Sequence, residues 1–255
     1  MLVRHGVDFS GAENPAGKIW VATRDDSRLH DESGKPVIGL RRGFDHRSLV
    51  ELIAASANDG REHLWRIDAP FGLAVQTLDS HGIERNWLAM AKWIAQFGSA
   101  RGWRSACRET DRSEPRRVTD HAARTPMAPL NLRVFKQTWA VITNILMPLT
   151  ERGIRIEPLA GPTDSLVIVA EGCPASTLAL RGWPTRGYKG IGEPPKARRA
   201  ELIEHLKRAR VRVPDDSASF AINDTEGDGL DALLLLLDPE QTVVPAEGMV
   251  EGWVY

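Results

Sequence analysis

Four acidic residues stand far apart in this sequence, yet each lies where an apolar segment meets a turn. Asp8, Asp68 and Glu171 each end a short run with the composition of a β-strand, and Asp231 lies near the start of a very apolar helical segment. Two carboxylates about 4 Å apart repel each other by roughly 4 kcal/mol at an effective dielectric constant of 20. Convergence of these four candidate catalytic residues and metal ligands would therefore require a cation. Mg²⁺ or Mn²⁺ is expected, because hard ions prefer oxygen ligands and pairs of them activate water for phosphodiester cleavage.

Asp228 adds a fifth carboxylate three residues before Asp231, on the same face of the predicted helix. We include it among the candidate metal ligands, although Thr225 with Asp228 also matches a capping box, which would give Asp228 a structural role. Asp231 lies within a helix that otherwise has the composition of a core element, so it must be paired, hydrogen-bonded or bound to a metal. Asp8 also has a structural alternative, because aspartates often end strands as turn formers.

The one locally basic segment covers residues 181–212, which contain ten basic and three acidic side chains. Within it, Pro194 and Pro195 are expected to open a helix, with several cations near its first turn. Cations there oppose the helix dipole, which suggests a nearby anion, although a solvated helix face is the alternative. Together with the turn that follows Asp8, the candidate phosphate-binding residues are Ser10, Lys189, Lys196, Arg198 and Arg199.

Alternating and helical apolar patterns predict an α/β fold in which strands deliver the acids. A hairpin, a third strand and a covering helix come first, and the helix is expected to start at a capping box over residues 48–51. A continuously apolar, β-branched run before Glu171 is typical of a central strand. The predicted strands are the run ending at Asp8, Lys18–Ala22, Pro36–Leu40, His63–Asp68 and Ser165–Ala170, and the predicted helices include Asn86–Phe97, Phe135–Glu151, one opened by the two prolines, and one through Leu237.

An arginine-rich stretch interrupts this pattern at about residues 78–130. It carries six arginines between Arg101 and Arg117 and continues into a loop punctuated by Pro126 and Pro129. Its charged part is expected to be a solvated, partly salt-bridged loop. Because the stretch lacks enough periodic apolar sequence for a core of its own, we predict an inserted helical and loop segment within one domain spanning residues 1–255.

The composition is that of a globular protein able to bury a sizeable core, with 255 residues, 42% hydrophobic and 26% charged. A formal net charge of −1 provides no overall attraction to nucleic acid or to a membrane. Cys107 and Cys173 have no metal-ligand or disulfide-framework spacing, which favours a reducing compartment. No apolar segment has the length of a signal peptide or membrane span, so we expect a cytoplasmic protein without membrane attachment.

Five short phrases in this order resemble domain-of-unknown-function family 429, a family of predicted nucleases with a ribonuclease H-like fold. The resemblance covers nearly the whole chain and implies a mixed sheet flanked by helices, with a metal-dependent nuclease site on Asp8, Asp68 or Glu171, and Asp231. Nucleic acid or another phosphodiester is the implied substrate. The arginine-rich insertion is not part of the minimal fold. The phrases are Gly6–Gly11, Ile67–Leu73, Glu171–Ala175, Tyr188–Gly190 and Asp231–Leu233.

Two other functions fit parts of the sequence. A non-catalytic scaffold could use the basic segment to bind nucleic acid or protein, and its acids would not converge. A nucleotide-binding phosphotransferase could hold phosphates on the first hairpin, but such proteins use two copies of the fold around a cleft, and this chain carries one. The sequence contains no Gly-x-Ser-x-Gly elbow, Gly-x-Gly-x-x-Gly run or Walker A motif, which argues against serine-nucleophile and common nucleotide-binding sites.

Overall fold

A computed structural model describes residues 2–25, 39–239 and 243–255. The strands of this described part are β1 (Leu2–Asp8), β2 (Ile19–Asp25), β3 (Gly39–Phe44), β4 (Glu62–Asp68), β5 (Arg155–Glu157) and β6 (Val167–Gly172). They form a six-stranded mixed sheet in the order β3-β2-β1-β4-β6-β5. The first three strands pair antiparallel as a meander, whereas β4, β6 and β5 continue the sheet in parallel from β1. The fold is therefore α/β.

Helices flank the sheet on both faces. They are α1 (His46–Ala55), α2 (Val75–Ser80), α3 (Trp87–Ala95), α4 (Ala100–Thr110), α5 (Val118–Ala122), α6 (Phe135–Val141), α7 (Met147–Glu151), α8 (Pro174–Leu180), α9 (Glu193–Arg208), α10 (Asp215–Asn223), α11 (Asp228–Leu234) and α12 (Gly248–Glu251). A π-helical turn at Ile142–Leu146 joins α6 to α7. None of the described helices is both long enough and apolar enough to cross a membrane.

The period-two alternation of strand side chains divides the core between the two faces of the sheet. Val7 and Val21 point to one face, where they pack with α1, α3, α4, α6 and α7. Trp20 and Ala22 point to the other face, which α8, α9, α10 and α11 cover. The sheet is thus enclosed between two layers of helices. The candidate acids lie at the end of the sheet where their strands lead into loops.

Most predicted elements are present. The first hairpin, the strand ending at Asp68 and the helical segment over Phe135–Glu151 are confirmed, as is a helix opened by the two prolines. The predicted third strand is present from Gly39 onward, and its first part, Pro36–Ile38, lies outside the described residues. Strand β5 pairs with β6 but was not predicted, because three residues are too few to show a period.

Three local predictions were wrong. Helix α1 begins after Asp45, whose side chain accepts the N–H of Ser48 at 2.7 Å, so Ser48 is the third helical residue and not the cap. Helix α11 begins after Gly227, which lies in the left-handed region, and no capping box with Thr225 is present. The charged stretch after Arg101 is largely the helix α4, because Trp103 and Cys107 bury one of its faces in the main core.

Candidate metal centre

Asp8, Asp68 and Asp231 meet at one edge of the sheet, with one carboxylate oxygen of each within 4.8 Å of the others. Asp8 and Asp68 end the neighbouring parallel strands β1 and β4 in direct register. Asp231 lies in the first turn of α11 and is 3% exposed. Of the four acids predicted to converge, the structure brings these three together.

Gly6 allows α11 to approach β1 closely enough to bring Asp231 to Asp8. A Cβ atom at Gly6 would overlap the carbonyl oxygen of Ala232 and would lie 2.8 Å from Cβ of Leu235. Only glycine therefore fits at this point of the strand. Because Gly6 has no side chain and α11 is apolar, the helix packs directly on β1. This packing places the buried carboxylate of Asp231 above the end of the strand.

Burial and neighbouring negative charges disfavour the ionised forms of Asp8 and Asp68. Burial, and then the charge of Asp231, raises the pKa of Asp68 to about 8. Burial, followed by the charges of Asp228 and Asp231, raises the pKa of Asp8 well above its usual range. Within the described part of the chain, neither Asp8 nor Asp68 has a hydrogen-bond or ion-pair partner for its carboxylate. Such groups gain most from a bound cation.

Lys189 and Tyr188 hold Asp231 from the loop before α9. The Tyr188 hydroxyl donates to Oδ1 of Asp231 at 2.9 Å, and the Lys189 ammonium lies 2.7 Å from Oδ2. The same ammonium is 3.6 Å from Oδ1 of Asp228, which is more exposed and lies beside the three acids. Burial lowers the pKa of Lys189, but the charge and hydrogen bond of Asp231, together with the charges of Asp8 and Asp228, outweigh this effect and raise it. Lys189 is thus a cation in direct contact with the acidic centre.

Glu171 lies beside this centre but is paired elsewhere. Its two oxygens accept hydrogen bonds from Nη1 and Nη2 of Arg117 at 2.7 and 2.6 Å, and the backbone N–H of Phe71 donates to it at 2.8 Å. Arg117 also binds Asp120, and all three charged side chains are buried. Burial raises the pKa of Glu171, although Arg117 lowers it. The carboxylate that was predicted as a metal ligand is therefore engaged by a guanidinium group.

The predicted phosphate-binding residues separate into two groups. Ser10 and Lys189 line a cavity of about 600 Å³ whose floor contains Asp8, Asp68 and Asp231. The three candidates on α9, namely Lys196, Arg198 and Arg199, do not line it. Arg198 pairs with Glu201 at 2.7 Å, and the prediction for Arg199 is corrected because its buried guanidinium donates to three backbone carbonyl groups. Those carbonyls belong to Tyr188, Gly190 and Ile222, so Arg199 fixes the loop that carries Lys189.

The donor set fits a hard divalent cation. Three carboxylates supply only oxygen ligands, two of them lack any partner in the described part, and their mutual repulsion is relieved by positive charge. Mg²⁺ and Mn²⁺ suit such a set, with Asp8, Asp68 and Asp231 as the ligands and Asp228 at its border. The competing feature is the Lys189 ammonium, which already offsets part of the negative charge on Asp231.

Several residues of this region escaped the sequence analysis. Arg117 is one of six arginines in a charged stretch, and nothing in the sequence separates the buried one from its exposed neighbours. Lys18, Arg133 and Lys136 line the acidic cavity, yet they are isolated cations from two distant segments. Only Tyr188 carried a signal, as part of the phrase that contains Lys189.

Comparisons of this chain with protein-family models, with curated proteins and with solved structures found no match. The resemblance to domain-of-unknown-function family 429 therefore stays a prediction.

Proposed function

We propose that this protein is a metal-dependent phosphodiester hydrolase, namely a nuclease that uses Mg²⁺ or Mn²⁺. The observation that carries the proposal is the convergence of Asp8, Asp68 and Asp231 at the floor of an open cavity. A buried or half-buried carboxylate without a partner is costly for folding, so the placing of Asp8 and Asp68 beside Asp231 in a cavity favours a role in binding a cation.

We further propose that the sheet is ribonuclease H-like and that the chain belongs to domain-of-unknown-function family 429. The strand order supports this, since an antiparallel meander is extended by parallel strands from its first member. A late helix also carries an acid to the end of that first strand, as the resemblance implies.

The chain's own residues have distinct tasks in this proposal. Asp8, Asp68 and Asp231 would hold the metal, which supplies a Lewis acid for the phosphoryl oxygen and lowers the pKa of water. Tyr188 orients Asp231 by donating to one of its oxygens. Lys189 lies beside the acids and reduces the repulsion between them and a phosphate group.

Hydrolysis of bis(p-nitrophenyl) phosphate in the presence of Mn²⁺ tests the proposal. Wild-type protein should release p-nitrophenol, and Asp68→Asn should lower the rate by at least about a hundredfold, since it removes a metal ligand while keeping the shape of the side chain. Glu84→Gln, which changes an exposed acid away from the cavity, should leave the rate unchanged. Equal rates for wild type and Asp68→Asn would contradict the proposal.

One observation favours a second candidate, a non-catalytic binding protein. The Lys189 ammonium lies 2.7 Å from Asp231 and could serve as a built-in counterion, so that no metal is needed. In that case the acids would have a structural role, and the cavity would bind a partner without cleaving it. Absence of Mn²⁺ binding by the wild-type protein would select this alternative.

A further inference from the structure

Three further cations line the cavity that contains Asp8. Lys18 precedes β2, Arg133 precedes α6, and Lys136 lies in the first turn of α6. Lys18 and Arg133 are exposed and Lys136 is half-buried. None of the three forms an ion pair with a carboxylate of the described residues. They differ in this from Arg198, which pairs with Glu201, and from Arg199, which is buried.

Close packing fixes α6 next to the turn after Asp8. The turn after Asp8 lies directly against the first turn of α6, because a Cβ atom at Gly11 would be 2.5 Å from Cα of Gln137. The side chain of Gln137 also donates to the carbonyl oxygen of Phe9 at 2.8 Å. On the other side of the turn, Nε2 of His46 lies 2.8 Å from the carbonyl oxygen of Ser10. The first turn of α6, which carries Lys136, is therefore fixed against the turn that follows Asp8.

The cavity thus has cations in two places around its acidic floor. Lys189 contacts Asp231 and Asp228, whereas the group of Lys18, Arg133 and Lys136 adjoins the turn after Asp8. Lys189 alone would be enough to contact a single phosphate at the acids. A second group of three cations without acidic partners is the pattern expected where further phosphates of the same molecule lie alongside the reacting one.

We propose that Lys18, Arg133 and Lys136 bind backbone phosphates of a polynucleotide strand next to the phosphodiester held at the acids. This inference rests on the proposed function, and it names the substrate class as a strand with several phosphates, in contrast to a mononucleotide or a small phosphodiester. Phosphate contacts of this kind fix the position of a strand without reading its sequence.

The test is fluorescence anisotropy with a short fluorescein-labelled single-stranded oligodeoxynucleotide in the presence of Ca²⁺. The variant Lys18→Gln/Arg133→Gln/Lys136→Gln should bind at least about tenfold more weakly than wild type, and the slope of log affinity against log salt should fall by about two. A control variant with the same change of charge, Lys92→Gln/Arg101→Gln/Arg212→Gln, alters exposed cations away from the cavity. It should bind as wild type does. Unlabelled oligonucleotide should compete for the site, whereas a mononucleotide should not.

Hydrolysis of bis(p-nitrophenyl) phosphate separates this inference from the proposed function. That substrate has one phosphate, so the cavity variant should hydrolyse it at the wild-type rate. If the wild type hydrolyses nothing, the proposed function fails while the anisotropy still decides the role of the three cations. The inference would be overturned if the cavity variant bound the oligonucleotide as tightly as the control variant does, or if a mononucleotide competed for the site. The single variants Lys18→Gln and Arg133→Gln give the same comparison if the triple variant does not fold.

Discussion

The buried acids around the cavity differ in the cation that lies beside them. Glu171 and Asp120 share the buried guanidinium of Arg117, and Asp231 contacts the half-exposed ammonium of Lys189. Asp8 has no such direct partner in the described part of the chain. A buried arginine neutralises its acids permanently, which is a structural role. Acids with a partly exposed cation, or with none, can still bind a metal ion. This difference separates the group at Arg117 from the candidate metal centre.

Replacement of Arg117 by Met should strongly destabilise the protein. The change leaves Glu171 and Asp120 buried without their cation, which costs about 3–5 kcal/mol in the free energy of unfolding. As a control, Arg198→Met removes an exposed pair with Glu201 and should cost less than about 1 kcal/mol. Urea unfolding of both variants measures the difference. Similar, small losses for the two would show that the Arg117 network is not a structural element.

Helix α11 supplies Asp231 and strand β1 supplies Asp8. The two acids meet only while the helix and the strand stay in close contact. Gly6→Ala should therefore separate them, since the added methyl group overlaps the carbonyl oxygen of Ala232. We expect overpacking to lower the free energy of unfolding by about 1–3 kcal/mol. We also expect the affinity for Mn²⁺ to fall. Gly39→Ala in β3 meets no atom of the described residues within 4 Å and is the matched control. Calorimetric Mn²⁺ binding that is unchanged in Gly6→Ala would contradict this account of the contact.

Strands β1, β2 and β4 are also joined at the middle of β1, through His5. Its ring lies 3.0 Å from the hydroxyl of Thr23 and 3.0 Å from Nδ1 of His63, and it stacks on Trp65 with ring centroids 3.6 Å apart. Burial, and then the neighbouring His63, lowers the pKa of His5 to about 3. His5 is therefore neutral in the folded protein throughout the physiological range.

The lowered pKa of His5 predicts a loss of stability on acidification. Because unfolded chains bind a proton at this residue with a pKa near 6.5, its contribution is complete above that value and is lost as pH falls toward 3. Between about pH 7 and pH 5 the loss from this group is about 2 kcal/mol. Urea unfolding at both pH values should show a smaller decrease for His5→Gln than for wild type. Parallel pH profiles would refute the prediction.

At the scale of the whole molecule, the sequence predicted what depends on local pattern. Asp8 and Asp68 end short segments with the composition of a strand, so their place at the sheet edge could be predicted from the local sequence. The role of Arg117 did not, because its partner Glu171 is 54 residues away. Arg199 could not be distinguished from Arg198 either, since only the packing of α9 against the loop of Tyr188 buries one of them. The sequence pattern does not show which of several chemically similar residues makes a long-range contact.

The central claim is that Asp231 is a metal ligand, and Asp231→Asn tests it most directly. Burial raises the pKa of Asp231 in spite of Lys189 and Tyr188, so the folded protein disfavours its charge. Removal of that charge should keep or raise the melting temperature of the metal-free protein, while the amide oxygen still accepts from Tyr188.

Isothermal titration calorimetry with Mn²⁺, together with thermal melting in the absence of metal, provides the measurement. We predict that wild-type protein binds Mn²⁺, and that Asp231→Asn loses at least about tenfold in affinity without a lower melting temperature. A clear drop in melting temperature with unchanged Mn²⁺ binding would contradict the account and would show that Asp231 is a structural partner of Lys189.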